Sequence, residues 1–357
     1  MDKIIKKIIT KLNDNGFEAF VVGGYVRDMI LGINSSDIDI CTNALPKDVI
    51  EVLNLDKKTC VKYGSINIKT KKYNIDITTF RIDDNYLKHN PSNTEFVNDI
   101  KIDLKRRDFT CNTLLMNKDN EIIDYFDGLD DINNKVIKCV GNIKKKLSED
   151  PLRILRAIRL SIIYDFKIDD NLLDFIINNK QLINEISFFR KKEELDKILL
   201  STNAIKGLNF IKKLNLCDVL GISYEKVNYT NDLMGLYAQI NLDSNYQLTK
   251  SEKNIINSIN EVLENGVIDN NTLYKHGLYI NKIASEILKI DYKTINKMYN
   301  NLPIKNRKDI KISVKTIVKL NNNCYNNIND IYLRLEKNIL SGNIKNNSKD
   351  IIKFLRK

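Results

Sequence analysis

The chain has 357 residues, with 57 Lys and Arg against 46 Asp and Glu, for a net charge of +11. It carries only 13 Gly and 4 Pro, far below the roughly 12% of an average chain, which argues against a collagen, a loop-rich disordered protein or an all-β protein. A hydrophobic share of 43% is enough for a sizeable core, and no apolar run approaches the roughly 18 residues of a membrane span.

The first segment, residues 1–13, places Ile4, Ile5, Ile8, Ile9 and Leu12 at helical spacing. Its charged, amphipathic start is expected to be no secretory leader. Glu18–Val22 reads as a strand ending in Gly23-Gly24, Val26–Leu31 as a short helix, and Asp37–Cys41 as a strand with Ile at alternate positions. Pro46 suits the first turn of the next helix. Ser65–Lys69 and Asn74–Thr79 read as strands joined by the polar turn Thr70–Tyr73. Residues 82–99 read as a polar loop, Leu104–Met116 as a helix and Glu121–Phe126 as a closing strand. From about Asn142 onward the periodicity is almost wholly helical, and the Asn-rich stretch Asn321–Asn329 reads as a loop or helix junction. The expected class is α+β, an N-terminal α/β domain of about 140 residues followed by helices. Six scattered Cys without a CxxC pair point away from a zinc site or disulfide framework and toward a reducing cytoplasm. His89 and His276 are the only histidines, too few for a multi-histidine metal site.

Three motifs carry chemistry. In the first, Gly23-Gly24-Tyr25-Val26-Arg27-Asp28 precedes Asp37-Ile38-Asp39-Ile40. Glycines after a strand allow a sharp turn and close approach of a ligand, and Arg27 can add charge-assisted bonds to phosphate. On a strand, Asp37 and Asp39 project from one face. Two such carboxylates repel unless cations bridge them, and oxygen donors of this kind suit Mg²⁺, which activates an attacking hydroxyl and stabilises departing pyrophosphate. The bland alternative is a turn beside a solvent-facing Asp pair. Asp76 is equally readable as a third carboxylate or as an exposed strand residue. The second motif is Arg106-Arg107-Asp108-Phe109-Thr110-Cys111-Asn112. There Asp108 can accept from a ribose hydroxyl, Arg107 can pair with phosphate, and Asn112 is expected on the Asp108 face of a helix.

The third motif runs from Ser148 to Arg159, Ser-Glu-Asp-Pro-Leu-Arg-Ile-Leu-Arg-Ala-Ile-Arg. Ser148 is expected as an N-cap and Pro151 in the first turn, with Arg153, Arg156 and Arg159 as a slowly drifting stripe. It reads either as a capped helix with salt bridges or as a base reader. A carboxylate only accepts and a guanidinium only donates. An Asp150–Arg153 pair therefore complements the amino donor and ring-nitrogen acceptor of cytosine and adenine, and leaves unpaired groups against uracil and guanine.

The first motif resembles the nucleotidyltransferase superfamily that includes DNA polymerase β, which implies that Gly24 and Arg27 contact the triphosphate and that Asp37 and Asp39 are catalytic metal ligands. The three motifs in this order resemble the class II tRNA nucleotidyltransferase and poly(A) polymerase family, nearest its bacterial CCA-adding branch. The resemblance implies a polymerase-β-like catalytic head over residues 1–140, a helical neck with the base template over 141–205, a helical body over 206–300 and a basic, tRNA-binding tail over 301–357. It implies that Arg107, Asp150, Arg153, Arg156 and Arg159 contact nucleotide, that Asp150 and Arg153 are the template pair, and that Phe188–Leu199 is the following neck helix, with Phe189 where an acidic residue usually stands. Residues 82–99, with Lys88-His89-Asn90-Pro91, match the flexible loop that switches such enzymes from C to A. The implied activity is template-independent addition of C, C and A to the tRNA 3′ end from CTP and ATP, with Mg²⁺.

Poly(A) addition and CC-only or A-only addition are alternatives within the same chemistry. A non-catalytic RNA-binding protein on the same fold is the alternative of a different class, and the intact acidic pair argues against it. Residues 301–357 hold 13 Lys and Arg against 4 Asp and Glu, which reads as a polyanion-contacting tail or as a solvated helical face.

Overall fold

A computed structural model describes residues 1–56, 61–62, 64–87, 90–320 and 327–356, without the side chains of 61–62, 83–87 and 90–94. It divides into two compact units, Met1–Leu220 and Gly221–Lys357.

The first unit begins with α1 (Lys3–Asp14), capped by the Asp2 carboxylate on the Ile4 N–H and buried through Ile5, Ile8, Ile9 and Leu12. There follow β1 (Ala19–Val22), α2 (Gly24–Ile30), β2 (Asp37–Thr42), α3 (Pro46–Leu53), β3 (Val61–Lys62), β4 (Ser65–Lys69) and β5 (Asn74–Thr79). The turn between β4 and β5 closes as expected, with the Thr70 N–H donating to the Tyr73 carbonyl at 2.8 Å. After them come β6 (Arg81–Leu87), β7 (Asn90–Phe96), α4 (Ile100–Lys105), β8 (Leu115–Met116), β9 (Ile122–Ile123), α5 (Gly128–Asn133) and β10 (Val136–Ile137). The main sheet runs in the order β3-β4-β5-β2-β1-β8-β9. β2 pairs antiparallel with β1 and parallel with β5, which sets Asp39 beside both Val22 and Asp76. Alternation along β2 buries Ile38 and Ile40 and leaves Asp37 and Asp39 on the opposite, open face.

Helices then dominate: α6 (Ile143–Glu149), α7 (Leu152–Tyr164), the short strand β11 (Lys167–Ile168) paired with β10, α8 (Asp170–Asn178), α9 (Phe188–Leu199), α10 (Ala204–Lys213) and α11 (Cys217–Leu220). The second unit pairs β12 (Ile222–Ser223) with β13 (Asn241–Leu242) around α12 (Leu233–Tyr237). It continues through α13 (Lys250–Asn265), α14 (Asn270–Ile287), α15 (Tyr292–Asn300), α16 (Val314–Leu320), α17 (Ile328–Leu340) and α18 (Ser348–Leu355). Gly277, at φ 73°, breaks α14 into two segments. One core joins Ile259, Val262 and Ile283 to Ile304, Ile317, Leu335 and Ile351, so the basic final residues are built into this unit and their charge lies on its exposed faces.

Four local expectations are corrected. Residues 82–99 are not an open loop: β6 and β7 form a hairpin from Arg81 opposite Phe96 to Leu87 opposite Asn90. A backbone ladder holds it, so the apolar alternation that reveals a half-buried strand is missing. Lys88 and His89 lie outside the described residues, as do 321–326 of the Asn-rich stretch. Leu104–Met116 is not one helix. It stops at Lys105, makes a 3₁₀ turn at Thr110–Asn112 and ends in β8. Phe109 bridges to Cys139, and the run Phe-Thr-Cys-Asn-Thr is made of weak helix formers. The strand expected over Glu121–Phe126 shrinks to Ile122–Ile123, because the Asp124 carboxylate takes the N–H groups of Phe126, Gly128 and Leu129 into a turn. Ser148 caps nothing: it lies inside α6, and the break falls at Asp150-Pro151. Pro151 forces the residue before it into extended backbone, and Asp150 sits at φ −141°, ψ 94°.

Candidate nucleotidyl-transfer site

A cleft of about 400 Å³ opens where the start of α2, β2, α7, α9 and the Arg106–Asn112 segment meet. Its walls include Gly23, Gly24, Arg27, Asp39, Asp108, Asn112, Asp150 and Arg153. Seven arginines (27, 106, 107, 153, 156, 159 and 190) face it against three aspartates, a positive surplus suited to a triphosphate. The structure therefore gathers every expected nucleotide-contacting residue into one cleft. Asp37 is not among the lining residues and sits beside it on β2.

The glycine bend fixes one end. Gly23 caps α2 with φ 78°, a conformation that L side chains resist. A Cβ there would reach 3.4 Å from Arg107 Nη1 and 3.5 Å from Asp39 Oδ2. Of the two glycines expected to form the bend, Gly23 carries the conformational demand. Asp39 is open to the cleft, yet the cleft walls around it raise its pKa, opposed by Arg107 and reinforced by the charges of Asp76 and Asp37. Asp76 accepts from Asn67 Nδ2 at 2.9 Å, and Asp37 from Asn74 Nδ2 at 3.4 Å. Among the described residues no three His, Cys, Asp or Glu side chains form a ready-made metal cage. The three carboxylates nevertheless share one sheet face and one type of donor atom, the hard oxygen set that Mg²⁺ takes together with waters and substrate phosphates.

Arg27 is buried. Nε and Nη2 donate to Asp28 Oδ1 at 3.0 and 2.8 Å, and Nη1 donates to Asn112 Oδ1 at 2.5 Å. Asn112 in turn donates to Asp108 Oδ1 at 3.0 Å. The pairing of Asp108 with Asn112 is the expected one, reached through a 3₁₀ turn instead of a helix face. Asp108 Oδ2 accepts from Arg156 Nε at 2.6 Å. Burial works to raise the Asp108 pKa, but Arg156, Asn112 and the Phe109 N–H outweigh it, and the carboxyl titrates well below its usual range.

The three arginines of the stripe go to separate partners. Arg153 Nη1 donates to the Lys146 carbonyl at 2.7 Å and lies 3.7 Å from Glu149. Arg156 reaches Asp108, and Arg159 Nη1 donates to the buried Glu194 of α9 at 3.1 Å. Asp150, expected beside Arg153, instead has Arg190 of α9 at 3.3 Å. Lys146 Nζ ties the Lys105 and Arg107 carbonyls at 2.5 and 3.0 Å, and burial, with Arg153 nearby, pulls its pKa down to about 8. Sequence reasoning gave Arg106, inside the second motif, no role of its own, and it missed the contacts of Arg190 and Tyr164, which no local spacing links to the motifs.

Asp108 sets a pH dependence. Its folded pKa is depressed, so the ionised form adds stability that is fully present above the ordinary carboxylate range and is lost as pH falls through the folded value. Asp108→Asn is expected to cost about 2 kcal/mol near neutral pH, the scale of hydrogen bonds to a charged group. Thermal melts should show the gap to the parent narrowing below about pH 4. A gap that ignored pH would detach the loss from this charge.

Over residues 19–138 the chain matches the family described as the Poly A polymerase head domain, and over 165–221 the one described as a probable RNA and SrmB-binding site of polymerase A. A CCA-adding enzyme from Ligilactobacillus salivarius is 32% identical over 383 residues, taking in 98% of this chain and 95% of that one. The chain belongs to the CCA-adding enzyme family of nucleotidyltransferases. A second member, from Staphylococcus aureus, is 29% identical across 99% of this chain and 98% of its own. The family fold is equally clear: the Bacillus stearothermophilus CCA-adding enzyme, solved in complex with CTP, superposes with a TM-score of 0.85 at 22% identity, covering 99% and 97% of the two chains. The Thermotoga maritima CCA-adding enzyme, solved with tRNA, gives 0.70 at 22% identity, covering 99% and 95%. No helix among the described residues is long and apolar enough to cross a membrane.

Proposed function

We propose that this nucleotidyltransferase adds C, C and A in turn to the 3′ end of tRNA from CTP and ATP, releasing pyrophosphate and using no nucleic-acid template. The observation that carries the reading is one cleft lined by the glycine bend and Asp39 together with Asp150 and Arg153. The names of its relatives, CCA-adding enzymes along nearly their whole length, support it.

Asp37 and Asp39 would hold Mg²⁺, with Asp76 beside them on β5. The cation, when bound, neutralises charge on the transferred and departing phosphates. The remaining work belongs to the chain. The Gly23-Gly24 bend admits the triphosphate, and Arg27, Arg107, Arg156 and Arg159 balance its charge. Arg107 Nε is buried without an acceptor among the described residues, a donor available to an anion. Asp108 and Asn112 face the sugar, while Asp150 and Arg153 read the base edge by acceptor and donor. Phosphoryl transfer of this kind relies on positioning and charge rather than covalent chemistry. In this reading residues 1–140 are the head, 141–205 the neck, 206–300 the body and 301–357 the basic tail that grips tRNA, and the enzyme works in the cytoplasm.

Incubation with tRNA lacking its CCA end tests the reading. CTP alone should extend the tRNA by two residues, and CTP with ATP by three. Long A tails would identify a poly(A) polymerase, and extension by one base type only a CC- or A-adding enzyme. All three share the base-reading pair, so products decide.

A further inference from the structure

Tyr164 closes a ring of contacts that neither the motifs nor the family likeness assigns. It ends α7, the helix carrying Arg153, Arg156 and Arg159. Its hydroxyl accepts from Arg27 Nη2 at 2.5 Å and donates to Asp28 Oδ1 at 2.7 Å. Its ring lies 4.3 Å from the Arg27 guanidinium carbon, a cation–π distance, and Phe166 packs against it at a tilt with centroids 5.9 Å apart. Burial, offset by Arg27, pushes the phenol pKa up to about 12, so the hydroxyl keeps its proton for Asp28. The same helix grips the head a second time where Arg156 meets Asp108. Arg27, Asn112, Asp108, Arg156, the helix and Tyr164 therefore form a closed circuit.

We infer that Tyr164 is a positioning residue that fixes the Arg27 guanidinium and locks the base-reading helix to the triphosphate end of the cleft, so that it sets nucleotide affinity without touching nucleotide. The inference rests on the reading of Arg27 as a triphosphate contact. Asp28 and Asn112 hold the edge of the Arg27 guanidinium but leave it free to tilt out of its plane. The ring beneath it and the hydroxyl beside it remove that freedom, which is preorganisation for an anion.

Steady-state kinetics on the full chain with Tyr164→Phe, Tyr164→Leu and Arg27→Lys test this. Tyr164→Phe keeps the ring and loses the hydroxyl. It should raise KM for CTP and ATP alike by about 5-fold, the equivalent of one net hydrogen bond. Tyr164→Leu loses both and should raise it by about 20-fold, adding the cation–π share. KM for tRNA should stay within about 2-fold of the parent in each variant, as no tRNA contact is changed. A purely structural role would lower melting temperature without separating the two KM values. If Arg27→Lys raises nucleotide KM while both Tyr164 variants leave it unchanged, or if tRNA KM rises in step, the positioning role is overturned. If Arg27→Lys leaves nucleotide KM unchanged, the triphosphate reading of Arg27 falls and this inference falls with it.

Discussion

Asp39→Ala should abolish nucleotide incorporation, a loss on the order of 10³-fold in kcat/KM, while tRNA binding persists. Metal-borne charge neutralisation is worth several kcal/mol in such a transition state, and each 1.36 kcal/mol is tenfold in rate. Asp39 is the better of the two strand aspartates for the test because it lines the cleft within reach of the glycine bend. The charges of Asp37 and Asp76 already act against its ionisation, as expected of carboxylates grouped to share a cation. Asp39→Asn keeps the shape, removes the charge and should lose as much. Primer extension on gels, with binding followed separately by mobility shift, reads both quantities. Incorporation retained at a tenth of the parent rate or more would move the metal site elsewhere.

Replacing Asp150 and Arg153 together with Ala should relax base choice more than it weakens tRNA binding. Each mismatched donor or acceptor costs about 1–3 kcal/mol, so the ratio of kcat/KM for CTP over UTP should fall by about 10- to 100-fold. Both residues line the cleft, and Asp150 is the more accessible test because Arg153 is buried against the Lys146 carbonyl and Glu149. Asp150→Asn turns part of an acceptor into a donor at constant shape, and by itself should improve uracil and guanine nucleotides relative to cytosine and adenine. Selectivity unchanged in both variants would remove the template from this pair.

The head was the most legible part of the chain. Ile38 and Ile40 alternating with Asp37 and Asp39 announced a half-buried strand, and two glycines after an apolar run announced the bend. The helix break at Asp150-Pro151 was written in the proline, but the eye for a cap at Ser148 put the start too early. The 81–96 hairpin escaped because backbone pairing leaves no apolar rhythm. The Asp108–Asn112 contact was expected for an incorrect reason: spacing of four suggested a helix, and the same reach is met by a tight turn after α4 ends. Residues fixed by tertiary contact alone were invisible. Nothing near Tyr164 or Arg190 in the chain points to Arg27 or Asp150, 137 and 40 positions away. The short strand β12, just past Leu220, went unread too, since two residues are too few to show a period.

If Asp150 and Arg153 read the base as proposed, the Arg190–Asp150 ion pair leaves the resting reader self-satisfied. An incoming base does not meet a bare carboxylate: it must trade places with a guanidinium already seated there. The net reward for a correct base is then a difference between two pairings, which keeps its grip loose. A base offering the wrong edge displaces a good partner and returns nothing for it. On that reading discrimination would come from the exchange itself.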